Sequence, residues 1–307
     1  MAIVNKRILP VLLVVLIFFL YVGGPGHYSS RIYGSVWDLG HIVLFIVFSI
    51  FLFRLPFVEQ KRIFIQIVVV FFIVIFFAVS TELLQFAASR TPELKDVRRD
   101  IVGAFIGTLI VFRQKKLSST VFPVLAFIAF FLTVLEFSTL VKILVDEYNI
   151  FKTGPVLSNL EGVFEEGRWK GSSQFELSSD VAIEGEKSLK VIFNTDEYSG
   201  VTLKYMHRDW SAKKSLHFSI FYPEDDDFLL NVRINDFMHV ENNRYNDRFN
   251  KKIILTKGWN HFIILIQDIK NAPEGRKINL ENMQSLGMFV MNLSEPKTIY
   301  IDNVYIN

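Results

Sequence analysis

Five long apolar runs near the start of the chain restrict its fold more than any other feature. They cover residues 8–22, 36–53, 63–86, 97–112 and 121–145. A helix needs about 20 mostly apolar residues to cross roughly 30 Å of hydrocarbon. The sequence therefore predicts about five transmembrane helices. The fourth run is short and begins with charged residues, so we expect it to start at the interface or inside the bundle.

The first run, preceded by Lys6 and Arg7, allows two interpretations. A secretory signal peptide has the same charged start and apolar stretch. A retained helix is favoured, because the Gly23-Gly24-Pro25-Gly26 segment that follows is a poor cleavage site and more apolar runs come after it.

Basic residues near the ends of the runs predict the orientation. Eight Lys or Arg residues would lie on one side of the membrane and five on the other. Cytoplasmic ends carry the excess of basic residues. We therefore expect a multi-pass protein of the cell membrane with a cytoplasmic N-terminus and an extracytoplasmic C-terminal half.

The pattern changes after residue 145, where charged residues, Asn, Ser and Gly become frequent. Short segments then alternate apolar and polar residues with a period of two, separated by turn residues. Many short strands without a helical period predict a β-sandwich or jelly roll. The expected segments are 174–177, 188–193, 201–205, 215–222, 229–235, 252–256, 261–267, 287–292 and 298–306. The chain is thus a multidomain protein, with a helical membrane domain over 1–150 and an all-β domain over 155–307.

Charge and cysteine content exclude some functions. The net charge is only +2, and no stretch combines a basic cluster with interleaved aromatic residues. We therefore expect no nucleic-acid partner. The chain has no cysteine, which excludes disulfides and thiolate metal sites.

Polar residues at the edges of the apolar runs predict a site inside the helical bundle, because ionisable groups in a membrane are costly and often functional. The candidates are Asp38, His41, Glu82, Gln85, Arg90 and Asp96. Asp38 and His41 share a helix face, so the carboxylate could orient the imidazole as a proton acceptor or polar-ligand site. Structural pairing without chemistry is the alternative. One histidine with several carboxylates could hold a divalent cation, but a metal site is disfavoured because no His-x-x-x-His or Glu-x-x-His spacing is present.

Three further expectations concern the same runs. Arg90 would bind an anionic head group or phosphate, or else pair with Glu82 or Asp96. Gly103 and Gly107 would let two helices pack closely. Glu136 would reach out of the fifth run to the membrane interface.

The polar residues and glycines of the first half follow a recognisable order. Asp38 and His41 occur in WDLGHIVLF, Glu82 and Gln85 in TELLQF, and Arg90, Asp96, Gly103 and Gly107 follow. Over residues 1–115 this order and spacing resemble the VanZ-like membrane family. Asp100 stands where that family usually has Asn. The resemblance implies a part in glycopeptide-antibiotic resistance or an uncharacterised role, without an agreed reaction.

The second half resembles galactose-binding-like jelly rolls of the carbohydrate-binding-module type. EGEKSLKV, GWNHFIILIQDI and the final IYIDNVYIN carry the likeness. The resemblance implies a structural calcium held by acids at the two ends of the domain, here Glu161 and Asp302. No other cofactor is expected.

Polar and aromatic side chains of the second half are candidates for ligand binding. Planar polar groups suit sugar hydroxyls, and the segment VRINDFMHVENNRYNDRF supplies Arg233, Asp236, His239, Asp247 and Arg248. A solvated loop with ion pairs is the alternative. Aromatic side chains that could stack on sugars are Trp169, Trp210, Trp259, Tyr198, Tyr205 and Tyr222. Most should be core residues, and we expect Trp259 to be one of them.

Three functions remain open from the sequence. The first is a cell-envelope membrane protein whose outward β domain binds a glycan or other polymer. The second is a membrane enzyme or transporter acting on a lipid-linked envelope substrate. The third is a non-catalytic adaptor. The expected partners are membrane lipid and a cell-surface glycan or lipid-linked saccharide.

Overall fold

The computed structural model describes residues 8–21, 29–87, 94–115, 120–239 and 244–307. The chain divides into two compact units, Met1–Leu144 and Val145–Asn307. The first unit is helical and the second is a β-sandwich.

The helices of the first unit coincide closely with the apolar runs. They are α1 (Ile8–Tyr21), α2 (Arg31–Phe53), α3 (Pro56–Glu59), α4 (Ile63–Ala87), α5 (Leu94–Gln114) and α6 (Phe122–Thr153). Local sequence explains two of the starts. The Ser30 hydroxyl caps α2 by accepting a hydrogen bond from the Tyr33 amide at 3.1 Å. Pro56 opens α3, where its missing N–H costs nothing.

Membrane-spanning length and polarity separate these helices. Among the described residues, Arg31–Phe53, Ile63–Leu83 and Phe122–Thr153 are long and apolar enough to cross a membrane. Helix α1 has 14 described residues, and α5 begins with charged side chains. Three candidate spans are therefore established, and five transmembrane helices stay a prediction.

Helices α2 and α5 pack closely through the two glycines. A Cβ at Gly103 would lie 2.4 Å from the Ile42 carbonyl oxygen, and one at Gly107 would lie 2.7 Å from that of Ile46. Real Cβ atoms do not approach a backbone that closely. The predicted packing role of both glycines is confirmed, and it fixes which α5 residues face α2.

The sandwich consists of two antiparallel sheets. Its strands are β1 (Val156–Ser158), β2 (Trp169–Gly171), β3 (Gln174–Ser178), β4 (Ser188–Phe193), β5 (Tyr198–Leu203), β6 (Ser215–Tyr222), β7 (Phe228–Asp236), β8 (Phe249–Leu255), β9 (Gly258–Leu265), β10 (Met283–Met291) and β11 (Lys297–Ile306). The first sheet has the order β3-β4-β11-β6-β9, with β1 added to β11. The second has the order β2-β5-β10-β7-β8. The predicted β-sandwich is confirmed.

Some local details of the sandwich differ from the expectation. The strands β1 and β2 were not expected, because three residues each are too few to show a period. A short helix, α7 (Ile266–Asn271), follows β9 where continuing strand was expected.

The core between the sheets is aliphatic with a few large aromatic rings. Trp169, Trp210 and Tyr222 are fully buried there. Trp259 is not a core residue, and the expectation that it would be is wrong. Phe262 and Ile264 of β9 pack inward, so the alternation of the strand turns Trp259 to the outer face, edge-on to Phe221 at 5.5 Å.

Candidate functional site

Helices α2 and α5 bring His41 and Asp100 together. The His41 Nδ1 atom donates to Asp100 Oδ1 at 2.9 Å, and both side chains are buried. His41 Nε2 lies 3.9 Å from Asp96 Oδ2. Asp96, Asp100 and Gly103 share the α5 face that packs on α2, so the close approach at Gly103 positions the pair.

Arg99 joins carboxylates from three helices. Its guanidinium pairs with Asp96 on α5, with Asp38 on α2 at 3.2 Å and with Glu136 on α6 at 3.5 Å. Arg98 also binds Glu136, with Nε 2.6 Å from Oε1. We call Asp38, His41, Glu82, Asp96, Arg98, Arg99, Asp100 and Glu136 the polar helix cluster.

Glu136 corrects one expectation. It was expected to reach the membrane interface, yet it is 5% exposed. The reason is that Arg98 and Arg99 supply partners inside the unit, so the carboxylate needs no contact with the interface. A buried carboxylate is retained when opposite charges satisfy it.

The structure gathers four of the six residues predicted for the membrane site. Asp38, His41 and Asp96 meet as described, and Glu82 is buried in α4 within electrostatic range of His41. Arg90 and the side chain of Gln85 lie outside the described residues. In the described part of the chain, no group of three or more His, Asp or Glu side chains is arranged to hold a metal.

Sequence reasoning left Arg99, Asp100 and Glu136 out of the site. The signal was present in part, since positions 96, 99 and 100 fall on one helical face. It gave no indication that Arg99 would meet a carboxylate from α6, because that contact depends on tertiary packing.

A second site lies on the outer face of the second sheet. Five cations lie along this face, which we call the basic face: Lys170 on β2, Lys204 after β5, Arg233 on β7, and Arg248 and Lys252 beside or on β8. Strand register places Lys170, Thr202, Gly287, Arg233 and Asn250 in one line across all five strands. No single stretch of the sequence contains such a cluster, and the pairing of distant strands assembles it on the folded sheet.

Two aromatic rings lie beside the cations of the basic face. Tyr198 stacks on Phe289, with centroids 5.1 Å apart and planes 29° apart. The Arg233 guanidinium carbon lies 5.8 Å and 5.7 Å from the two centroids. A Cβ at Gly287 would lie 2.6 Å from Arg233 Nε, so this glycine leaves the space in which Arg233 lies along the sheet. Tyr198 is 38% exposed and available to a ligand.

The cations of the basic face repel one another. Burial lowers the pKa of Lys204, and Arg233 and Lys170 lower it further. Burial also lowers the pKa of Arg248, and Arg233 adds to this. In the described part of the chain, which omits residues 240–243, no carboxylate forms an ion pair with any of the five cations.

The five residues predicted to bind a ligand separate into two groups. Arg233 and Arg248 lie on the basic face. Asp236 and Asp247 are held by Arg276, which donates to Asp236 Oδ2 at 2.7 Å and Oδ1 at 2.9 Å and also pairs with Asp247. These hydrogen bonds lower the pKa of Asp247. The Arg276 contacts tie β7 to the segments that flank β8, so they have a structural role.

His239 lies beside this ion pair and is 5% exposed. Its amide donates to Asp236 Oδ1 at 3.2 Å, and its Nδ1 is 3.4 Å from Asp247 Oδ2. Burial lowers the pKa of His239, and Arg248 lowers it further. An open cavity of about 540 Å³ borders Asp247 and Arg276.

The two residues expected to hold calcium bind the same loop. Glu161 Oε1 accepts from the amides of residues 186 and 187 at 2.8 Å, and Asp302 Oδ2 accepts from those of residues 183 and 184 at 2.8 and 3.3 Å. Burial raises the pKa of Asp302. Backbone amides thus satisfy oxygens that a cation would use, and no group of three acidic or histidine ligands forms there among the described residues. Calcium binding stays a prediction.

The comparisons with known proteins concern the sandwich. No protein-family model matches the chain, and no curated protein matches it. The resemblance of the first half to the VanZ-like family therefore stays a prediction.

Similar solved structures include a family 11 carbohydrate-binding module from Clostridium thermocellum in complex with a β-1,3-1,4-mixed-linked tetrasaccharide. It is 16% identical with a TM-score of 0.39, over 50% of this chain and 94% of that chain. An exo-β-agarase is 16% identical with a TM-score of 0.40, over 50% of this chain and 25% of that chain. The C-terminal family 22 module of Clostridium thermocellum Xyn10B is 13% identical with a TM-score of 0.34, over 49% and 90%.

Proposed function

We propose that this protein is a membrane-anchored glycan-binding protein of the cell envelope, and that the basic face of its sandwich is the binding surface. The observation that carries this proposal is the ring of Tyr198, which is 38% exposed and stacks on Phe289. An aromatic ring binds the apolar face of a sugar, and a polar group beside it fixes the orientation of the ligand.

Planar polar side chains surround the aromatic pair. The amides of Asn231 and Asn250 lie on the same face, and the guanidinium of Arg233 lies over both rings. Such groups match the paired donors and acceptors of sugar hydroxyls. Of the other aromatic side chains expected to contact sugars, Trp169, Trp210 and Tyr222 are buried, whereas Tyr205 and Trp259 are partly exposed.

The proposed anchoring role is supported by the exposed apolar side chains on the outer surface of the helices. Phe72 and Phe76 on α4, and Phe127 and Phe130 on α6, are each 66–69% exposed. Large exposed apolar patches of this kind mark membrane or protein contacts. Together with three helices of spanning length, they support insertion in a bilayer.

The outward orientation of the sandwich follows from the basic residues near the span ends. A reporter that is active only outside the cytoplasm, fused after Ile150, should give signal. A silent reporter whose cytoplasmic counterpart is active would contradict this orientation.

The binding surface is tested by removing the aromatic ring from full-length protein in phosphatidylcholine nanodiscs. We expect Tyr198→Ala to weaken binding to immobilised polysaccharides by about tenfold or more, since it removes both the apolar area that the ring would bury and its stacking contact with the sugar. Trp259→Ala is the matched control, because it removes an aromatic ring from the outer face of the other sheet. Loss of binding with Trp259→Ala and not with Tyr198→Ala would place the ligand on the first sheet.

The polar helix cluster supports a second function, a membrane enzyme or transporter for a lipid-linked envelope substrate. The supporting observation is the buried His41–Asp100 pair with Asp96 and Glu82 close by. Such a pair could accept a proton. His41→Gln should abolish complementation of a deletion strain at unchanged membrane abundance. Loss of abundance would instead show that the cluster is structural.

A further inference from the structure

The charge of the basic face narrows the class of glycan. We propose that its ligand is an acidic polysaccharide, which repeats carboxylate, sulfate or phosphate groups. This inference rests on the proposed function, because it assumes that the basic face binds a glycan. It concerns the chemistry of that glycan.

The first observation is that no described carboxylate pairs with the cations of the basic face. Within the sandwich unit, five other cations each lie within 3.1 Å of a carboxylate oxygen: Arg168 with Asp146, Lys190 with Asp180, Lys257 with Asp225, Arg276 with Asp236, and Lys297 with Glu224. None of the five cations of the basic face has such a partner among the described residues. The carboxylates of these ion pairs therefore do not neutralise the basic face, and its described part stays positive.

The second observation is that the unpaired cations lie close together. Arg233 acts electrostatically on both Lys204 and Arg248, and Lys170 acts on Lys204. Like charges held together raise the local potential and attract an anion. An anionic ligand would relieve this repulsion, whereas a neutral sugar would leave it unchanged.

The third observation is the state of the Arg233 side chain. Its Nε is buried without a hydrogen-bond acceptor among the described residues, and its Nη2 makes a single weak hydrogen bond of 3.4 Å to Thr202. A guanidinium binds carboxylate, sulfate or phosphate oxygens through two parallel hydrogen bonds. Its position over Tyr198 and Phe289 would place an acidic group of the ligand next to the stacked sugar ring.

Two other anions could meet a positive surface, namely an anionic membrane and a nucleic acid. The exposed ring of Tyr198 and the neighbouring asparagine amides favour a sugar over a lipid head group. A nucleic acid would use the same stacking and charge. Both are included as competing probes below.

The experiment measures binding of full-length protein in phosphatidylcholine nanodiscs to matched pairs of polysaccharides. Polygalacturonate is paired with its methyl ester, hyaluronan with its methyl ester, and chondroitin sulfate with its desulfated methyl ester. We expect at least one acidic form to bind about tenfold or more tightly than its neutral partner, and its affinity to fall as salt rises from about 50 to about 300 mM.

Variants locate the effect. Arg233→Gln and Lys252→Gln should each weaken binding of the acidic form by about tenfold and of the neutral form by less. Lys252 is exposed, so its replacement should leave the fold unchanged. Lys190→Gln is the control, because Lys190 also lies over an aromatic ring, that of Tyr300, but on the other sheet and paired with Asp180. It should have no effect.

Each outcome decides a different point. Equal binding of acidic and neutral forms overturns the acidic specificity and leaves glycan binding standing. No binding to any polysaccharide overturns both. Tighter binding to phosphatidylserine nanodiscs or to a single-stranded oligonucleotide than to every polysaccharide also overturns the inference. An unchanged affinity of Arg233→Gln and Lys252→Gln places the charge recognition elsewhere.

Discussion

In the helical unit, charged side chains meet partners of opposite sign. Arg99 contacts Asp38, Asp96 and Glu136, and His41 bonds to Asp100. On the basic face of the sandwich, five cations share one surface without a described carboxylate. The difference follows from the degree of burial: His41, Arg99, Asp100 and Glu136 are buried, whereas the five cations of the basic face are exposed or partly exposed. A charge removed from water needs a compensating partner within the protein. A charge that remains in contact with water can stay available for a ligand.

The largest expected effect comes from removing the cation that the carboxylates of the polar helix cluster share. Arg99→Ala leaves Asp38, Asp96 and Glu136 without a shared cation, and Glu136 is buried. Breaking a buried ion pair costs roughly 3–5 kcal/mol, so the melting temperature in detergent should fall sharply. Lys95→Ala is the control on the same helix, because Lys95 is exposed. Equal losses for the two variants would contradict a stabilising role for the cluster.

The sandwich contains one arginine that pairs with acids, Arg276, and one without a described acidic partner, Arg233. Arg276→Ala should cost about 3 kcal/mol, because it removes the cation that pairs with the fully buried Asp236. Arg233→Ala should change stability by less than about 1 kcal/mol, since it removes repulsion together with packing. Chemical unfolding of the full chain in detergent measures both. A cost for Arg233→Ala as large as that for Arg276→Ala would show that Arg233 is structural.

The smallest expected effect concerns pH. The pKa of His239 is lowered in the folded state, mainly by burial and then by Arg248. Below about pH 6.5 the unfolded chain therefore binds a proton that the folded chain does not. Stability should fall as the pH drops from about 6.5 towards the lower folded pKa, by at most about 1.4 kcal/mol per unit of pKa displacement.

The pH effect is measured as the melting temperature of the sandwich transition between about pH 7.5 and 5.5. The lowered pKa of Asp247 has the same sign, but it acts only below the ordinary carboxyl range. His239→Gln should flatten the profile over the histidine range. A profile that keeps its slope in His239→Gln would assign the effect to another group.

Local patterns in the sequence predict the helices and strands, but they do not predict which side chains meet in the folded protein. The apolar runs locate the helices, and alternation locates most strands because period and length are properties of short segments. The two three-residue strands are too short to show an alternating pattern. Trp259 was placed wrongly although the positions of Phe262 and Ile264 in the same strand would have given its outward direction.

The two sites depend on contacts that no short segment contains. Glu136 meets Arg98 from a different helix, 38 positions earlier in the chain. The basic face gathers cations from β2, β5, β7 and β8, which are separated in the sequence by turns and by other strands. No single stretch of the sequence is basic enough to predict this face. The role of Gly287 in leaving room for Arg233 can be inferred only when the strand register is known.

Lysine footprinting tests most directly whether the outer face of the second sheet binds the ligand. Full-length protein in nanodiscs is acetylated with and without polygalacturonate, or with the tightest acidic polysaccharide of the panel, and each lysine is quantified by mass spectrometry. We predict that Lys170, Lys204 and Lys252 lose reactivity, whereas Lys190 and Lys257 keep theirs. Protection of Lys190 and Lys257 with unchanged reactivity of Lys204 and Lys252 would contradict the account.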